Sequence, residues 1–185
     1  MSHTQIIVHI SGESGTGKST LGEELQKLFC NDVFVYDTDF LYNNTDLLTK
    51  CENTTREEYL IFYKETFQKS IEKFNKDNSD KIIIYVGLLD HMSIYNVYNE
   101  IKTKYKFYYT VDISILLQRF YSRLAYTLHK YIKDVVDDKY PIPSSSEIIK
   151  RSIETKKIHI NMGYEPLNRE EIIEKLKTLI SYNKH

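Results

Sequence analysis

The sequence predicts an α/β fold, a three-layer α/β/α sandwich around a mostly parallel sheet of about five strands. Three observations lead there. Short β-rich runs alternate with segments of helical periodicity along the chain. The run Lys81 to Val86 is continuously apolar after its lysine, as suits a strand covered on both faces. A glycine-rich turn joins the first strand directly to the first helix.

The elements follow in order. Gln5 to Ile10 is a short β-rich run. Lys18 to Phe29 carries Leu21, Leu25, Leu28 and Phe29 at helical spacing. Val33 to Tyr36 is a second strand. Thr54-Thr55-Arg56-Glu57-Glu58 combines a hydroxyl cap with acids in a first turn. The helix it opens runs to about Asn75, with Leu60, Tyr63, Phe67, Ile71 and Phe74 inward. Asn75 to Asp80 is a polar turn, and Lys81 to Val86 is the third strand. A helix is expected near Met92 to Lys102, a strand over Lys106 to Val111 and a long helix from Ile113 to about Asp134. The loop Tyr140-Pro141-Ile142-Pro143 leads through serines to a helix over Glu147 to about Lys157. A weak strand is expected near Ile158 to Met162. Asn168-Arg169-Glu170-Glu171 caps a last helix bearing Ile172, Ile173, Leu176, Leu179 and Ile180.

The 185 residues favour one domain, 1–185, with enough chain to bury a substantial core. Apolar residues make up 41% and charged residues 28%, a mixture that argues against disorder. Net charge is −1, so bulk charge gives no support for nucleic-acid binding. No run of 18 apolar residues exists, which excludes a helical membrane span, and the N-terminus lacks a secretory pattern. Cys30 and Cys51 form no CxxC pair and read as reduced thiols of a cytoplasmic protein. The six histidines are scattered without zinc-ligand spacing. A monomer or homodimer is expected.

The strongest chemical signal is Gly12-Glu13-Ser14-Gly15-Thr16-Gly17-Lys18-Ser19, followed by Thr20. It matches G-x-x-x-x-G-K-[ST] between a strand and an amphipathic helix, the context that motif requires. Phosphate oxygens must approach backbone N–H groups closely, so glycines sit at the bends. Lys18 supplies a point charge to β- and γ-phosphates, and the Ser19 hydroxyl is a hard-oxygen ligand for Mg²⁺. The helix beginning at Lys18 points its N-terminal dipole at the anion. ATP and Mg²⁺ are the cofactors this predicts.

Two further constellations bear on chemistry. Asp37 and Asp39 lie just beyond the second strand, at the carboxyl edge of the sheet where ligands of open parallel sheets gather. Spaced i, i+2, one can hold Mg²⁺ while the other accepts the proton of an attacking hydroxyl. The solvated turn is the plainer alternative. Arg119 and Arg123 are i, i+4 and share a helix face, and Arg151 follows the Pro/Ser loop. A mobile guanidinium there can stabilise charge on a transferring phosphoryl group. The third strand runs into Gly87, with Val86 where an acid is often found. The nearest acid is Asp90, and His91 follows.

With these motifs the chain resembles the small P-loop kinases, a group that includes adenylate, shikimate, uridine and gluconate kinases. The resemblance covers most of the chain in layout. In motif it covers Gly12 to Thr20 and, more weakly, Asp37 to Tyr42 and Arg119 to Arg123. It implies Asp37 as base or metal contact with Asp39 beside it. It also implies a lid around 119–155 in which Arg119, Arg123 and Arg151 meet the nucleotide. The implied activity is phosphoryl transfer from ATP to a small-molecule acceptor, most of all a nucleoside or nucleotide. The missing acid before Gly87 departs from the pattern. So do the missing D-G-x-P-R of adenylate kinases, D-R-[YH] of thymidylate kinases and E-R-S of deoxynucleoside kinases. Two alternatives stay open. One is a nucleic-acid end-processing kinase or RNA-associated NTPase, for which Lys102, Lys104 and Lys106 form the only short basic track. The other is a nucleotide-binding regulator without turnover.

Overall fold

The computed structural model describes residues 5–38, 55–87, 103–131 and 142–184. Five strands, β1 (Ile7–Ser11), β2 (Val33–Asp37), β3 (Ile82–Val86), β4 (Tyr105–Tyr109) and β5 (Glu165–Leu167), form one sheet in the order β2-β3-β1-β4-β5. Every pairing in it is parallel. Five helices are described: α1 (Lys18–Leu28), α2 (Arg56–Asp77), α3 (Ile113–Tyr131), α4 (Ser145–Asn161) and α5 (Arg169–Asn183).

The order follows from burial. Residues 82–86 of β3 are all at most 1% exposed, so this strand needs cover on both faces and neighbours on both edges. It lies between β1 and β2, beside the glycine-rich loop. On one face Val8, Ile10, Val33, Ile82, Ile84, Val86, Phe107 and Tyr109 pack against Leu21 and Leu25 of α1 and Ile172, Leu176 and Leu179 of α5. Each fully buried aliphatic side chain contributes roughly 1.5–3 kcal/mol. On the opposite face Phe34 of β2 stacks on Phe74 of α2, and Tyr36 tilts against the same ring. Farther along the same face, the Tyr85 hydroxyl donates to Asn75 Oδ1 at 2.8 Å.

Two expectations change. The strand expected over Ile158 to Met162 is helix: α4 continues through Asn161 and ends where Gly163 takes φ +83°. The β-branched Ile158 and Ile160 favour a strand locally. Burying His159 from a helix overrides them, because that side chain is fully enclosed. The strand is displaced to Glu165–Leu167. The same helix starts earlier than its periodicity indicates, with Ser144 and Glu147 closing a reciprocal capping box. The helix expected near Met92 to Lys102 lies outside the described residues, as do Asp39, Asp90, His91 and residues 132–141 of the expected lid. No described helix is long and apolar enough to cross a membrane.

Candidate active site

The site is built on the carboxyl end of β1. Gly12 follows the strand, and a Cβ there would come within 2.8 Å of the Tyr109 carbonyl of β4. Gly15 and Gly17 take φ of +91° and +89°, left-handed backbone that favours glycine. Gly17 is also the N-cap of α1, so the turn delivers the helix N-terminus into the loop. The Thr16 hydroxyl donates to the Glu13 carbonyl at 2.8 Å and ties the bend shut.

Three cations converge on this loop. Lys18 Nζ donates to the Gly12 carbonyl at 2.9 Å and to the Glu13 carbonyl at 3.1 Å, and Lys18 is only 9% exposed. Arg119 reaches back from α3, its Nη1 donating to the Thr16 carbonyl and, at 3.4 Å, to that of Gly15. Arg151 of α4 sets its Nε 3.7 Å from Glu13 Oε1. Arg123, one helical turn beyond Arg119, is exposed. Lys18, Arg119 and Arg151 thus meet at one loop, and Arg123 makes no contact with it among those described.

On the other side of α1, a cavity of about 500 Å³ opens between the helix and β2. Ser19, Gly22, Glu23, Gln26, Val35 and Asp37 are among the described residues lining it. Asp37 stands at the end of β2, register partner of Val86. Its neighbour Thr38 is buried and donates to the Val86 carbonyl at 3.1 Å, which pins the two strand ends together. Gln26 bridges α1 to β2, its Oε1 accepting from the Val35 N–H at 2.8 Å. The two hard-oxygen groups predicted to meet a metal, Ser19 and Asp37, therefore line the same space. An oxygen pair of this kind suits Mg²⁺. Among the described residues, no group of three His, Cys, Asp or Glu side chains could hold a metal ion.

Sequence reasoning missed the polar layer beneath the loop. His9 and Ser11 alternate with Val8 and Ile10 on β1, facing away from the α1 and α5 core. The His159 Nδ1 lies 2.8 Å from the Thr155 carbonyl, which can only accept, so Nδ1 carries the proton. His159 Nε2 then accepts from the Ser11 hydroxyl at 2.8 Å. His9 Nδ1 and the Tyr164 hydroxyl are 2.5 Å apart, and both histidine rings meet Tyr164 edge-on. Burial first, with the Lys106 and Lys18 ammonium groups adding to it, pulls His9 down to about 3, so its ring is neutral. Burial likewise raises the Tyr108 and Tyr164 phenols. A usable signal existed: a histidine inside a strand as apolar as Val8-His9-Ile10 must find a buried partner.

No family model matches the chain, and no curated protein matches it in sequence. Solved structures do match in fold. Shikimate kinase from Bacteroides thetaiotaomicron superposes with a TM-score of 0.53 at 14% identity, over 96% of this chain and 99% of that one. Deoxyadenosine kinase from M. mycoides superposes with a TM-score of 0.52 at 13% identity, over 94% of this chain and 100% of that one. At such identities the likeness is one of architecture. The glycine cradle, the parallel order β2-β3-β1-β4-β5 and these superpositions together show that the chain has the fold of the P-loop nucleotide and small-molecule kinases.

Proposed function

We propose that the protein is an ATP- and Mg²⁺-dependent phosphotransferase acting on a small hydroxyl-bearing acceptor, with a nucleoside or nucleotide preferred. One observation carries the reading: Ser19, at the mouth of the glycine cradle, and Asp37, at the end of β2, line one cavity. In this reading the glycine loop takes the phosphates and the carboxylate faces the acceptor across a cavity of about 500 Å³. The solved M. mycoides deoxyadenosine kinase holds dCMP and dCDP, so this architecture accommodates nucleotides elsewhere.

The chain's own groups divide the work. Backbone N–H groups from Gly12 to Thr20, Glu13, Ser14, Gly15, Thr16 and Gly17 among them, cradle the phosphates with Lys18 above them. Ser19 and Asp37 would hold the metal, with Asp39 as the next carboxylate in sequence. Asp37 is also the group able to orient the acceptor hydroxyl or take its proton. Arg119, Arg123 and Arg151, in a lid spanning about 119–155, neutralise charge on the moving phosphoryl group. When bound, Mg-ATP supplies the phosphoryl group and a cation that screens its oxygens. A base at Asp37 suits a hydroxyl acceptor. By sequence, the region expected to hold the acceptor offers Arg56 alone, fewer arginines than a phosphate acceptor needs.

ADP release measured across nucleosides, nucleotides, sugars and 5′-hydroxyl oligonucleotides tests the reading. Stimulation by one small acceptor class, at least about tenfold over water alone, is expected. Stimulation by oligonucleotides alone would make it an end-processing kinase. Binding without release for any acceptor would make it a regulator.

A further inference from the structure

The cations at the loop are each held by the loop's own oxygens. For Lys18 and Arg119 these are main-chain carbonyls. For Arg151 the partner is a side-chain carboxylate, that of Glu13, and a carboxylate is the protein group most like a phosphate in charge and oxygen geometry. The two partners sit in unequal surroundings. The Arg151 side chain is 67% exposed, while that of Glu13 is only 10% exposed. Glu13 Oε2 is fully enclosed and accepts no hydrogen bond. At 3.7 Å the contact to Oε1 is an ion pair and too long for a good hydrogen bond. A buried carboxylate so thinly compensated holds its cation by charge alone, and a stronger anion can take it. Glu13 lies within the phosphate cradle itself, so the competing anion would arrive beside it.

From this we infer that Glu13 is a specificity-determining residue for the length of the phosphate chain. It keeps Arg151 on the loop until a triphosphate reaches far enough to displace the carboxylate. A diphosphate leaves the pair intact and gains nothing from Arg151. The fixed end of the device is the buried His159–Ser11 hydrogen bond, eight residues along the same helix, or about 12 Å at 1.5 Å per residue. The inference rests on the nucleotide-binding reading above and adds to it the choice between ATP and ADP.

Calorimetric titration of the whole protein with Mg-ATP and with Mg-ADP, for Glu13→Gln, Arg151→Gln and the double variant, tests it. Glu13→Gln is expected to tighten ATP about 2- to 5-fold relative to ADP, the worth of a partly exposed ion pair. That relative gain should vanish when Arg151→Gln is also present. Arg151→Gln, an exposed position that tolerates change, should weaken ATP and leave ADP unaltered even if Glu13→Gln does not fold. Three outcomes would overturn the inference. Glu13→Gln loosens ATP, which would make the carboxylate a support for Arg151. Glu13→Gln shifts ATP and ADP alike, in both backgrounds. Or Arg151→Gln moves neither nucleotide. Absence of any nucleotide heat in the unaltered protein would instead remove the nucleotide-binding reading, and this inference with it.

Discussion

At the scale of single residues, the chemistry concentrates on groups whose surroundings assign them one task. Asp37 closes β2 beside the cavity it shares with Ser19. Asp37→Asn keeps the volume and removes the charge. Nucleotide binding should survive it while turnover falls at least about 10²-fold, as for loss of a general base; steady-state ADP release reads this, and unchanged turnover would take Asp37 out of the mechanism. His9 makes a different prediction. Its folded value of about 3 lies below the ordinary 6.5, so the unfolded chain binds a proton that the folded protein refuses. The contribution to stability is complete above about pH 6.5 and is lost as pH falls toward 3, by about 1.4 kcal/mol per pH unit. Denaturant unfolding between pH 4 and pH 7 should show that slope. His9→Gln should flatten it, and an equal slope in both proteins would assign the acid sensitivity to other groups.

The element that organises the site is α4. It brings His159 to Ser11, Arg151 to Glu13 and Ile148 into the interior. Its start is legible in the sequence as Ser144 followed by Glu147 at capping-box spacing. In the structure each of the two side chains meets the backbone N–H of the other, and the Glu147 carboxyl is held below its usual range by Ser144. Ser144→Ala should cost about 1 kcal/mol of unfolding free energy, measurable by chemical denaturation; no loss would mean that tertiary packing alone sets the helix start. Its end was not legible. Ile158-His159-Ile160 satisfies strand propensity, and burial of His159 against Tyr164 and against Ser11, 148 residues away, decides for helix. Local preference cannot report a partner that distant. The same limit explains why the histidines looked scattered, although His9 and His159 share Tyr164.

For the whole molecule, what the sequence announces well is what local physics controls. The glycine loop, the apolar β3 strand and the capped α5 helix are readable because each is specified within about ten residues. Lys18 of the glycine motif, Arg119 of the i, i+4 pair and Arg151 after the Pro/Ser loop all reach oxygens of one loop. What depends on packing across the sheet was not readable. Examples are the polar layer under β1 and the clamp of Arg169 on Glu24, whose Nε donates to Oε2 at 2.9 Å and ties α5 to α1. Both join groups more than 140 residues apart in the chain.

The central claim is that main-chain N–H groups of the Gly12–Ser19 loop and the Lys18 ammonium bind a nucleotide polyphosphate. Titrating Mg-ATP into the intact protein and into its Lys18→Ala variant in a calorimeter tests that claim most directly. Saturable heat at one site per chain is expected, weakened about 10²-fold or more by the substitution, since charge-assisted hydrogen bonds to phosphate are lost. Absence of heat from the intact protein, or equal affinity in the variant, would contradict it.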